Sequence, residues 1–592
     1  STIGADTSGN NNHFTSSGIS DHDCNMPDSP ENNFATLNPL YATENAVFSE
    51  GNLRLDYNSG TFNSSGSTIA TGSMKFYTEV LLINSTVNPA ESSIGISNAD
   101  KFSWNTDNAH SATGNNGVRY QTQNGNIENG YGTNGTGATL TSGDILGIAC
   151  DPINGTLAYY KNGSLQDTVN IDTGLFYAIT MSDASRFTND VDFVVNFGQD
   201  SSFSGNKTAQ GNTDANGIGD FYYSVPSDFL ALCTANLPEP TISPNSATQA
   251  DDHFNTVIWT GNGTNPRTIS GVGFQPDWVW HKPRNLAYNH LMWDSSRGVG
   301  SNSLLTLFPN LTNAESDSLQ SQGNATSFDS DGFIVNAGSS GDNHVNDASY
   351  NYVAWNWKAN GGTTSSNTDG SITSTVQANT TAGFSIVTFT GTGSNATVGH
   401  GLSVAPTMII FKNRDNSYSW STYVKEIDAS YRLTLEQTSG RVSSSTSFNS
   451  TDPTSSVFSV GTNVSTNKSG DKIIAYCFHS VDGYSKIGGS YVGNGSTDGT
   501  FVFTGFRPAW IMTKETSATS SWNIYDNVRS DDNPATELLI ANSTNSEGTG
   551  TDIDIVSNGF KVRSTSGNIN TSGNNYIYIA FAHMPFKYAL AR

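Results

Sequence analysis

The side chains of this chain that are best suited to chemistry are aromatic rings set among Asn, Asp and Ser residues. A flat ring can stack on the C–H face of a sugar, and neighbouring amide and carboxylate groups can bond the sugar hydroxyls. The candidate ligand-binding residues on this reading are Trp293, Trp420, Trp522, Tyr131, Tyr288 and Tyr418. For the three tryptophans the alternative is a core position, because each follows the same marker in a repeated pattern.

The sequence shows no constellation typical of catalysis or of metal binding. No Gly-x-Ser-x-Gly elbow lies between a strand and a helix, and the histidines are scattered without ligand spacing. Residues 329–332, Asp-Ser-Asp-Gly, are similar to the start of a calcium loop, but the later Glu is missing, which favours an ordinary turn. We therefore predict no catalytic residue, no metal ligand and no cofactor.

Two pairs of acids leave one enzymatic alternative open. Asp552 with Asp554, or Asp531 with Asp532, could cleave a polysaccharide if their carboxyl groups stood about 5–10 Å apart. Sequence alone does not give that separation. A polysaccharide depolymerase is therefore an alternative, and a non-enzymatic protein is the expectation.

Charged residues recur at fixed places and require a separate interpretation. Asp294 with Arg297, and Asp526 with Arg529, form the same Asp-x-x-Arg pattern, which predicts a structural ion pair bracing a turn; a ligand clamp is the alternative. A lysine also recurs after an apolar run, and we expect it to snorkel at the strand end or else to line equivalent sites. These lysines are Lys282, Lys412 and Lys514.

The recurring elements behind these residues form a threefold repeat in the C-terminal part of the chain. Each copy has a Gly-x-Gly turn, a Pro thirteen residues later and the Lys six residues after that. The markers are Gly261, Gly263 and Pro276; Gly391, Gly393 and Pro406; and Gly493, Gly495 and Pro508. The pattern predicts three tandem, duplicated β-sandwich-like modules: copy one (residues 251–360), copy two (371–482) and copy three (483–592). Duplication is typical of binding and structural arrays.

Composition supports an all-β protein and excludes some partners. Only 13% of the 592 residues are charged, against about 25% in ordinary proteins, and Asn, Ser, Thr and Gly must wet much of the surface. The net charge of −25 repels phosphate backbones, so nucleic acid is not an expected partner. The sequence has no run of eighteen apolar residues, so we predict no membrane insertion. Residues 1–6 do not have the pattern of a signal peptide. Cys150 and Cys477 lie in apolar runs and are expected to be buried thiols.

The N-terminal part is predicted to hold a separate β-sandwich. We expect an extended, mostly irregular lead-in over residues 1–70, then strands and a Pro-rich connector over residues 71–240. Asn154-Gly155 and Asn162-Gly163 flank an apolar strand and predict tight hairpin turns. Residues 226–232 are predicted to form a short helix.

Two family resemblances sharpen this reading. Residues 143–151 (Gly-Asp-x-x-Gly-x-x-x-Asp) and 154–163 resemble the central hairpins of a SPRY domain, a concanavalin-like β-sandwich, and residues 191–199 resemble its last strand. The resemblance implies a binding module without catalytic residues. The whole layout resembles exterior virion proteins of tailed, especially marine, bacteriophages, through residues 33–40, 232–240, 352–358 and 586–592.

That second resemblance implies a function for the whole chain. It implies a tail fibre or appendage on the virion exterior that attaches to host-surface glycans or extends the particle. Its expected partners are other virion proteins and further copies of the chain, in a homo-oligomer that could be a trimer. A structural decoration or self-assembling filament subunit is the alternative, beside the depolymerase.

Overall fold

The computed structural model describes residues 12–13, 28–29, 32–42, 46–57, 63–85, 92–101, 117–129, 132–183, 191–244, 246–317, 321–339 and 344–583. The chain divides into two compact units, Ser1–Pro238 and Glu239–Lys587. Among the described residues, almost all of the regular secondary structure of each unit is β-strand. None of the described helices is long and apolar enough to cross a membrane.

The first unit is an antiparallel β-sandwich of two large sheets. Its strands are β1 Leu37–Ala42, β2 Ala46–Ser49, β3 Arg54–Tyr57, β4 Asn63–Thr71, β5 Phe76–Ser85, β6 Ser92–Asn98, β7 Val118–Gln121, β8 Asn126–Asn129, β9 Gly132–Thr136, β10 Ile145–Asp151, β11 Thr156–Lys161, β12 Ser164–Asn170, β13 Tyr177–Asp183, β14 Val191–Asn196 and β15 Leu230–Ala231. One sheet has the order β1-β4-β13-β6-β7-β8-β9 and the other β12-β11-β10-β5-β14-β3-β2, with β15 beside β5. Ile96 and Ile179 of the first sheet share one core with Val80 and Phe193 of the second, because alternate residues of each strand face inward.

Three local predictions for this unit need correction. Between Leu37 and residue 70 the described residues are not irregular, because they supply strands β1 to β4 to both sheets. Asn162-Gly163 does form a two-residue hairpin turn, with positive φ at both residues, but β10 and β11 are joined by four residues in which only Gly155 has positive φ. Residues 226–232 form a turn and strand β15 instead of a helix, since Leu230 and Ala231 pair with β5.

The second unit contains the three repeats. The strands of copy one are β16 Phe254–Thr260, β17 Arg267–Ser270, β18 Trp278–Pro283, β19 Leu291–Asp294, β20 Gly323–Asp329, β21 Gly332–Ala337 and β22 Asn351–Trp357. β23 Ser365–Asn367 lies between the predicted bounds of copies one and two and pairs with β24. Copy two has β24 Ser374–Asn379, β25 Phe384–Thr390, β26 Ala396–Gly399, β27 Met408–Asn413, β28 Ser421–Val424, β29 Tyr431–Thr434, β30 Val442–Ser443, β31 Val457–Val460, the helical turn α1 Val464–Asn467 and β32 Lys472–Phe478. Copy three has β33 Ser485–Val492, β34 Phe501–Phe503, β35 Pro508–Glu515, β36 Trp522–Asp526, β37 Ala535–Ile540, β38 Gly548–Val556, β39 Gly559–Val562, the helical turn α2 Gly567–Asn570 and β40 Asn575–Ala582.

The copies share one strand pattern, as the duplication predicted. The sheet orders β16-β22-β18-β19, β25-β32-β27-β28 and β33-β40-β35-β36 are equivalent, and in each copy a second antiparallel pair covers one face of this sheet (β17-β21, β26-β31 and β34-β39). The all-β fold class, a β-sandwich followed by three duplicated sandwich-like modules, is confirmed.

The main sheet of each copy is buried on both faces. In β18, Val279 belongs to the core of copy one, whereas Trp278 and Trp280 point the other way into a core that copies two and three also enter. Trp278 stacks on Tyr476 of copy two, with ring centroids 4.6 Å apart, and Phe254 stacks on Phe581 of copy three at 5.1 Å. Burial on both faces explains why these strands are continuous apolar runs in the sequence.

The Gly-x-Gly marker has a structural cause that sequence reasoning missed. In each copy a fully buried Asn closes the turn: its side-chain oxygen accepts the N–H of the middle residue, and its backbone oxygen accepts the N–H of the second Gly. These residues are Asn346, Asn467 and Asn570. The second Gly has φ between 71° and 73° in all copies, and a Cβ on Gly261 would lie 1.9 Å from a backbone oxygen. Both glycines are therefore required by geometry.

The cysteine prediction is confirmed for Cys150 and Cys477, which are buried free thiols. Cys233 is buried as well, and Cys24 lies outside the described residues. Burial raises the pKa of the Cys150 thiol, so it is poorly suited to act as a nucleophile.

Candidate functional site

The recurring lysines are buried where the copies meet. Lys282, Lys412 and Lys514 are fully buried, so the expectation that they snorkel to solvent is wrong. Each lies on the face of its strand that points toward the other copies, because it follows Trp278, Met408 or Trp510 at an even spacing.

Each lysine Nζ donates to backbone oxygens of its own copy and of one neighbour. Lys282 reaches Thr544 of copy three at 3.3 Å, Lys412 reaches Thr312 of copy one at 2.9 Å, and Lys514 reaches Thr438 of copy two at 3.1 Å. The lysine of copy one thus contacts copy three, that of copy two contacts copy one, and that of copy three contacts copy two. The three copies therefore close into a ring with three joints, which we name by the copies they join.

Burial has an electrostatic consequence for these lysines. Desolvation lowers the pKa of Lys282 to about 7, and those of Lys412 and Lys514 to about 8. The surrounding carbonyl oxygens, such as Asn416 O and Tyr418 O beside Lys412, supply the acceptors that a buried amine needs. The lysines are structural contacts between copies, and a ligand site at these positions is not open to solvent.

Strand register assigns the tryptophans differently from the sequence pattern. Strand pairing makes Ser421 and Asn523 the equivalents of Leu291. Trp420 and Trp522, which directly precede them, therefore correspond to His290 and not to Trp293. Trp420 Nε1 donates to Phe308 O and Leu311 O of copy one, and Trp522 Nε1 donates to Thr434 O of copy two.

His290 makes the equivalent contact in the third joint. Its Nδ1 accepts from Trp280 Nε1 at 2.9 Å, and because an indole nitrogen can only donate, the proton of the neutral ring is on Nε2. Nε2 therefore donates to Ile540 O of copy three at 3.0 Å. Desolvation lowers the pKa of His290 well below its usual value, which keeps the ring neutral.

Trp293 lies in the core of copy one, where its Nε1 donates to the Thr306 hydroxyl at 2.9 Å. Trp293, Trp420 and Trp522 all have 0% exposure, so none presents a ring face to a sugar. The interpretation of these tryptophans as ligand-binding residues is wrong for this structure, because Trp293 on β19 points into a module core, and Trp522 on β36 and Trp420 just before β28 point into the joints.

The Asp-x-x-Arg motifs form buried ion networks at two joints. At the one–two joint Arg297 pairs with Asp294 and, at 3.0 Å, with Glu315, which also binds Arg414 of copy two at 2.9 Å. Tyr476 of copy two donates its hydroxyl to Asp294 at 2.7 Å. Burial opposes the charge on Arg297, but the nearby anionic groups outweigh it and raise its pKa.

The one–three joint repeats this network. Arg529 pairs with Asp526 at 2.5 Å and with Glu547 at 2.8 Å, and Arg284 of copy one binds Glu547 at 2.7 Å. Trp355 of copy one donates its Nε1–H to Asp526 at 2.9 Å. The prediction of structural ion pairs is confirmed, and each pair also joins neighbouring copies.

The two–three joint has no such network at the equivalent positions. Strand register places Val424 at the position of the network Asp, and Ile427, three residues later, at the position of the network Arg. Ile579 takes the position that Trp355 and Tyr476 have in the other copies. The backbone bond from Arg441 N to Thr516 O matches those from Glu315 to Arg414 and from Glu547 to Arg284. At the two–three joint, Arg441 therefore takes the place of the Glu of the network, and Thr516 takes the place of the Arg that this Glu binds in the neighbouring copy.

Two candidate aromatic residues lie partly exposed on equivalent loops. Tyr288 and Tyr418 each stand six residues after the buried Lys and are half-buried, whereas copy three has Ser520 there. The Tyr288 ring lies 4.5 Å from the ring of His344, and Lys468 Nζ lies 5.4 Å above the Tyr418 ring. Tyr131 lies outside the described residues.

The acidic candidates are placed as follows. Asp331 accepts the N–H groups of Gly271 and Gly273, which lower its pKa, so residues 329–332 form a braced turn between β20 and β21. Asp552 accepts the Tyr525 hydroxyl at 2.9 Å, and Asp554 pairs with Arg563 at 2.6 Å. Asp531 and Asp532 are exposed. Among the described residues there is no cluster of three or more His, Cys, Asp or Glu side chains able to hold a metal ion.

Comparison with known proteins gives one family and one kind of fold. Residues 249–585 match a family model described as a domain of unknown function, DUF7483. No curated protein sequence matches the chain. Among solved structures, the SPRY domain of human HERC1 is similar at 17% identity and a TM-score of 0.24, covering 27% of this chain and 96% of that one.

Two further structures are similar over a comparable share of the chain. A human SPRY domain has 18% identity and a TM-score of 0.20, covering 26% of this chain and 94% of its own. The carbohydrate recognition domain of Emp47p has 10% identity and a TM-score of 0.20, covering 27% and 95%. At these scores the β-sandwich of the first unit rests on its own strand pairing.

Proposed function

From the premise that this chain belongs to the DUF7483 family, which its residues 249–585 match, we propose that it is a non-enzymatic binding and structural protein of a virion exterior. The observation that carries the proposal is the use of the repeated ionisable groups. The three buried lysines and both Asp-Arg pairs hold the copies together and do not converge on an open cleft. A tandem array closed in this way is suited to presenting loops on a rigid body.

The virion assignment rests on the layout of the sequence, in which a SPRY-like sandwich precedes repeated β-modules. On this proposal the chain is a tail fibre or appendage that meets host-surface glycans or extends the particle. It acts with other virion proteins and with further copies of itself, in a homo-oligomer such as a trimer. Several weak sites acting together would supply the affinity.

The loops that carry Tyr288 and Tyr418 are the proposed glycan contacts in the second unit. Each ring is half-buried at the same place of its module, and polar residues such as Asn285 and Asn416 lie on the same loops. An aromatic ring can stack on the C–H face of a sugar, and side-chain amides can form hydrogen bonds with its hydroxyl groups.

The test is binding of the recombinant full chain to glycan arrays and to host cells. We expect binding that falls in the Tyr288→Ala, Tyr418→Ala double variant and is retained in Tyr431→Ala. Tyr431 is a matched control because it is also half-buried, but it lies on β29 beneath Arg441. If the parent chain bound neither glycans nor cells, the attachment role would be discarded and the structural decoration role would be favoured.

A second assay separates the depolymerase alternative. Host polysaccharide incubated with the chain should keep its viscosity, because Asp552 and Asp554 are engaged with Tyr525 and Arg563. A fall in viscosity that disappears in Asp552→Asn or Asp531→Asn would overturn the non-enzymatic proposal.

A further inference from the structure

The first strand of each main sheet, β16, β25 or β33, has an outer edge that faces away from the other three strands that the copies share. At the two ends of β16, His253 O and Gly261 N bond to residues adjoining β22. Bonded and outward-facing residues alternate along an antiparallel strand. The odd-numbered residues of β16 therefore bond to β22, and the even-numbered ones, such as Thr256 and Ile258, direct their backbone groups outward.

Copies two and three engage this edge with residues of the chain itself. In copy two, β24 pairs with β25 as an added antiparallel strand. In copy three, Ser485 exchanges two backbone hydrogen bonds with Val481, and Ile487 O accepts the hydroxyl of Thr407 at 2.9 Å. The outer side of the first strand is thus occupied in both copies.

Copy one leaves the same edge open. Among the described residues, no strand pairs with the outer edge of β16. The C=O of Thr256 and both the N–H and the C=O of Ile258 have no hydrogen-bond partner within that part of the chain, and the N–H of Thr256 donates only to the side chain of Asn255. The Ile258 side chain is 44% exposed. An unpaired, partly apolar edge of this kind is a template for another strand.

The strand added to copy two shows which side chain fits beside this edge. Gln377 of β24 lies opposite Ile386 and is fully buried. Its Nε2 donates to the hydroxyl groups of Ser295 and Ser296 in copy one, each at 2.9 Å. One side-chain amide thus links the strand edge to the turn after β19 across the one–two joint.

The equivalent place at the one–three joint has buried polar atoms without partners. Strand register makes Thr256 the equivalent of Ile386, and Asn527 takes the place of Ser295 because both directly follow the network Asp. Thr256 is 7% exposed, and its hydroxyl oxygen and Asn527 Oδ1 have no hydrogen-bond partner among the described residues. Buried polar atoms normally have partners. A side-chain amide supplies both a donor for Asn527 Oδ1 and an acceptor for the Thr256 hydroxyl.

We propose that the outer edge of β16 binds an extended segment of a separate protein, which adds to the sheet as an antiparallel strand with Gln or Asn opposite Thr256. The other residues of this segment are uncharged, as all residues of β24 are. The occupant comes from a different protein because β24 is already engaged in copy two, and β24 of a second copy would be engaged in the same way. The site does not use the loops proposed to contact glycans, so it extends the proposed function.

The test titrates the full-length chain with a synthetic peptide that has the sequence of residues 372–380, which include β24. Calorimetry should show one peptide bound per chain, because the first strands of copies two and three are engaged within the chain. The peptide with Gln377→Ala should bind about tenfold more weakly, as the loss of a buried hydrogen bond gives. A parent chain that did not bind the unchanged peptide would overturn the proposal.

Two variants of the chain locate the bound peptide. Ile258→Pro removes an outward N–H without breaking a bond to β22, and Ile258→Lys adds a charge that discourages strand addition. Ile258→Lys should keep the unfolding midpoint of the parent, since the side chain is exposed, and each variant that folds should bind the peptide at least about tenfold more weakly. Val464→Lys is the control, because Val464 is 43% exposed but lies on α1. Unchanged binding in Ile258→Lys would overturn the proposal.

Sedimentation of the chain without peptide tests the source of the strand. The oligomeric state of Ile258→Lys should equal that of the parent, because the proposed occupant is not a second copy. A parent oligomer that dissociates in Ile258→Lys but not in Val464→Lys would show that a second copy occupies the edge, and it would overturn the assignment to a separate protein.

Discussion

The one–three and two–three joints hold equivalent strands together with different side-chain chemistry. Both place a buried Lys Nζ on a carbonyl oxygen of the neighbouring copy, and both form the same backbone bond at the edge, Glu547 to Arg284 or Arg441 to Thr516. The interior differs, since one joint buries an Asp-Arg-Glu-Arg network and the other Val and Ile. The backbone and lysine contacts therefore define the joint, and the network residues can vary.

The two joints of this chain also differ by a whole group of interacting residues. In the two–three joint the Asp, its Arg, the bridging Glu, the second Arg and the donating ring are all replaced. Leaving any single member in place would bury a polar group without its partner, which costs about 1–3 kcal/mol or more for a charge. In this chain the network is therefore either complete, as at the one–three joint, or replaced at every position, as at the two–three joint.

The largest expected effect comes from breaking one network at its bridge. Glu547→Ala leaves the buried guanidinium of Arg529 and that of Arg284 without their shared partner, and we expect a loss of about 3–5 kcal/mol in the free energy of unfolding. The measurement is chemical denaturation of the full chain. Arg441→Ala at the equivalent, exposed position should change it by only about 0.5 kcal/mol. Equal losses in the two variants would contradict the distinction between the joints.

The second prediction concerns the lysine that both kinds of joint share. The pKa of Lys412 is lowered to about 8, so between about pH 8 and 10.5 the unfolded chain binds more protons than the folded one. The free energy of unfolding must then rise with pH in that window. Below the window the lysine is charged in the folded state, and the full cost of burying that charge lowers the stability.

A matched variant isolates this contribution. Lys412→Met should lack about 1–2 kcal/mol of the rise between pH 7.5 and 9.5 that the parent shows, measured as the pH dependence of the unfolding midpoint. Lys472, an exposed lysine of the same copy, provides the control in Lys472→Met. A parent and a Lys412→Met variant with parallel pH profiles would show that Lys412 titrates normally.

The sequence predicted the modules better than the contacts between them. Spacing from Gly-x-Gly to Pro and Lys identified the repeat because those residues meet backbone demands that recur in every copy. Strand types followed from apolar runs. What the sequence did not reveal was that alternate residues of these runs, such as Trp278 and Val279, serve two different cores.

The candidate site was misplaced for a related reason. Trp293, Trp420 and Trp522 were matched by residue type, whereas the strand register matches His290 to the latter two. A tryptophan and a histidine are interchangeable there because both donate one N–H to a neighbouring carbonyl oxygen. Residue type misleads in the last strand of each copy as well, where Ala354 and Ala475 correspond in register to Tyr578 and not to Ala580. Matching the copies by which side chains can donate the same hydrogen bond, instead of by identical residues, would have found this correspondence.

The smallest effect separates a joint from a module core. Trp420→Phe removes the N–H that copy two donates to Phe308 O and Leu311 O of copy one, and Trp293→Phe removes an N–H bonded to Thr306 inside copy one. Each should cost about 1–2 kcal/mol, since a buried acceptor loses its donor. Only Trp420→Phe should speed amide hydrogen exchange in residues 308–312 while the core of copy two keeps its protection, because its lost bonds cross the joint to Phe308 and Leu311. Faster exchange in that segment for Trp293→Phe but not for Trp420→Phe would mean that the segment is held by the core of copy one and that the joint contributes nothing to it.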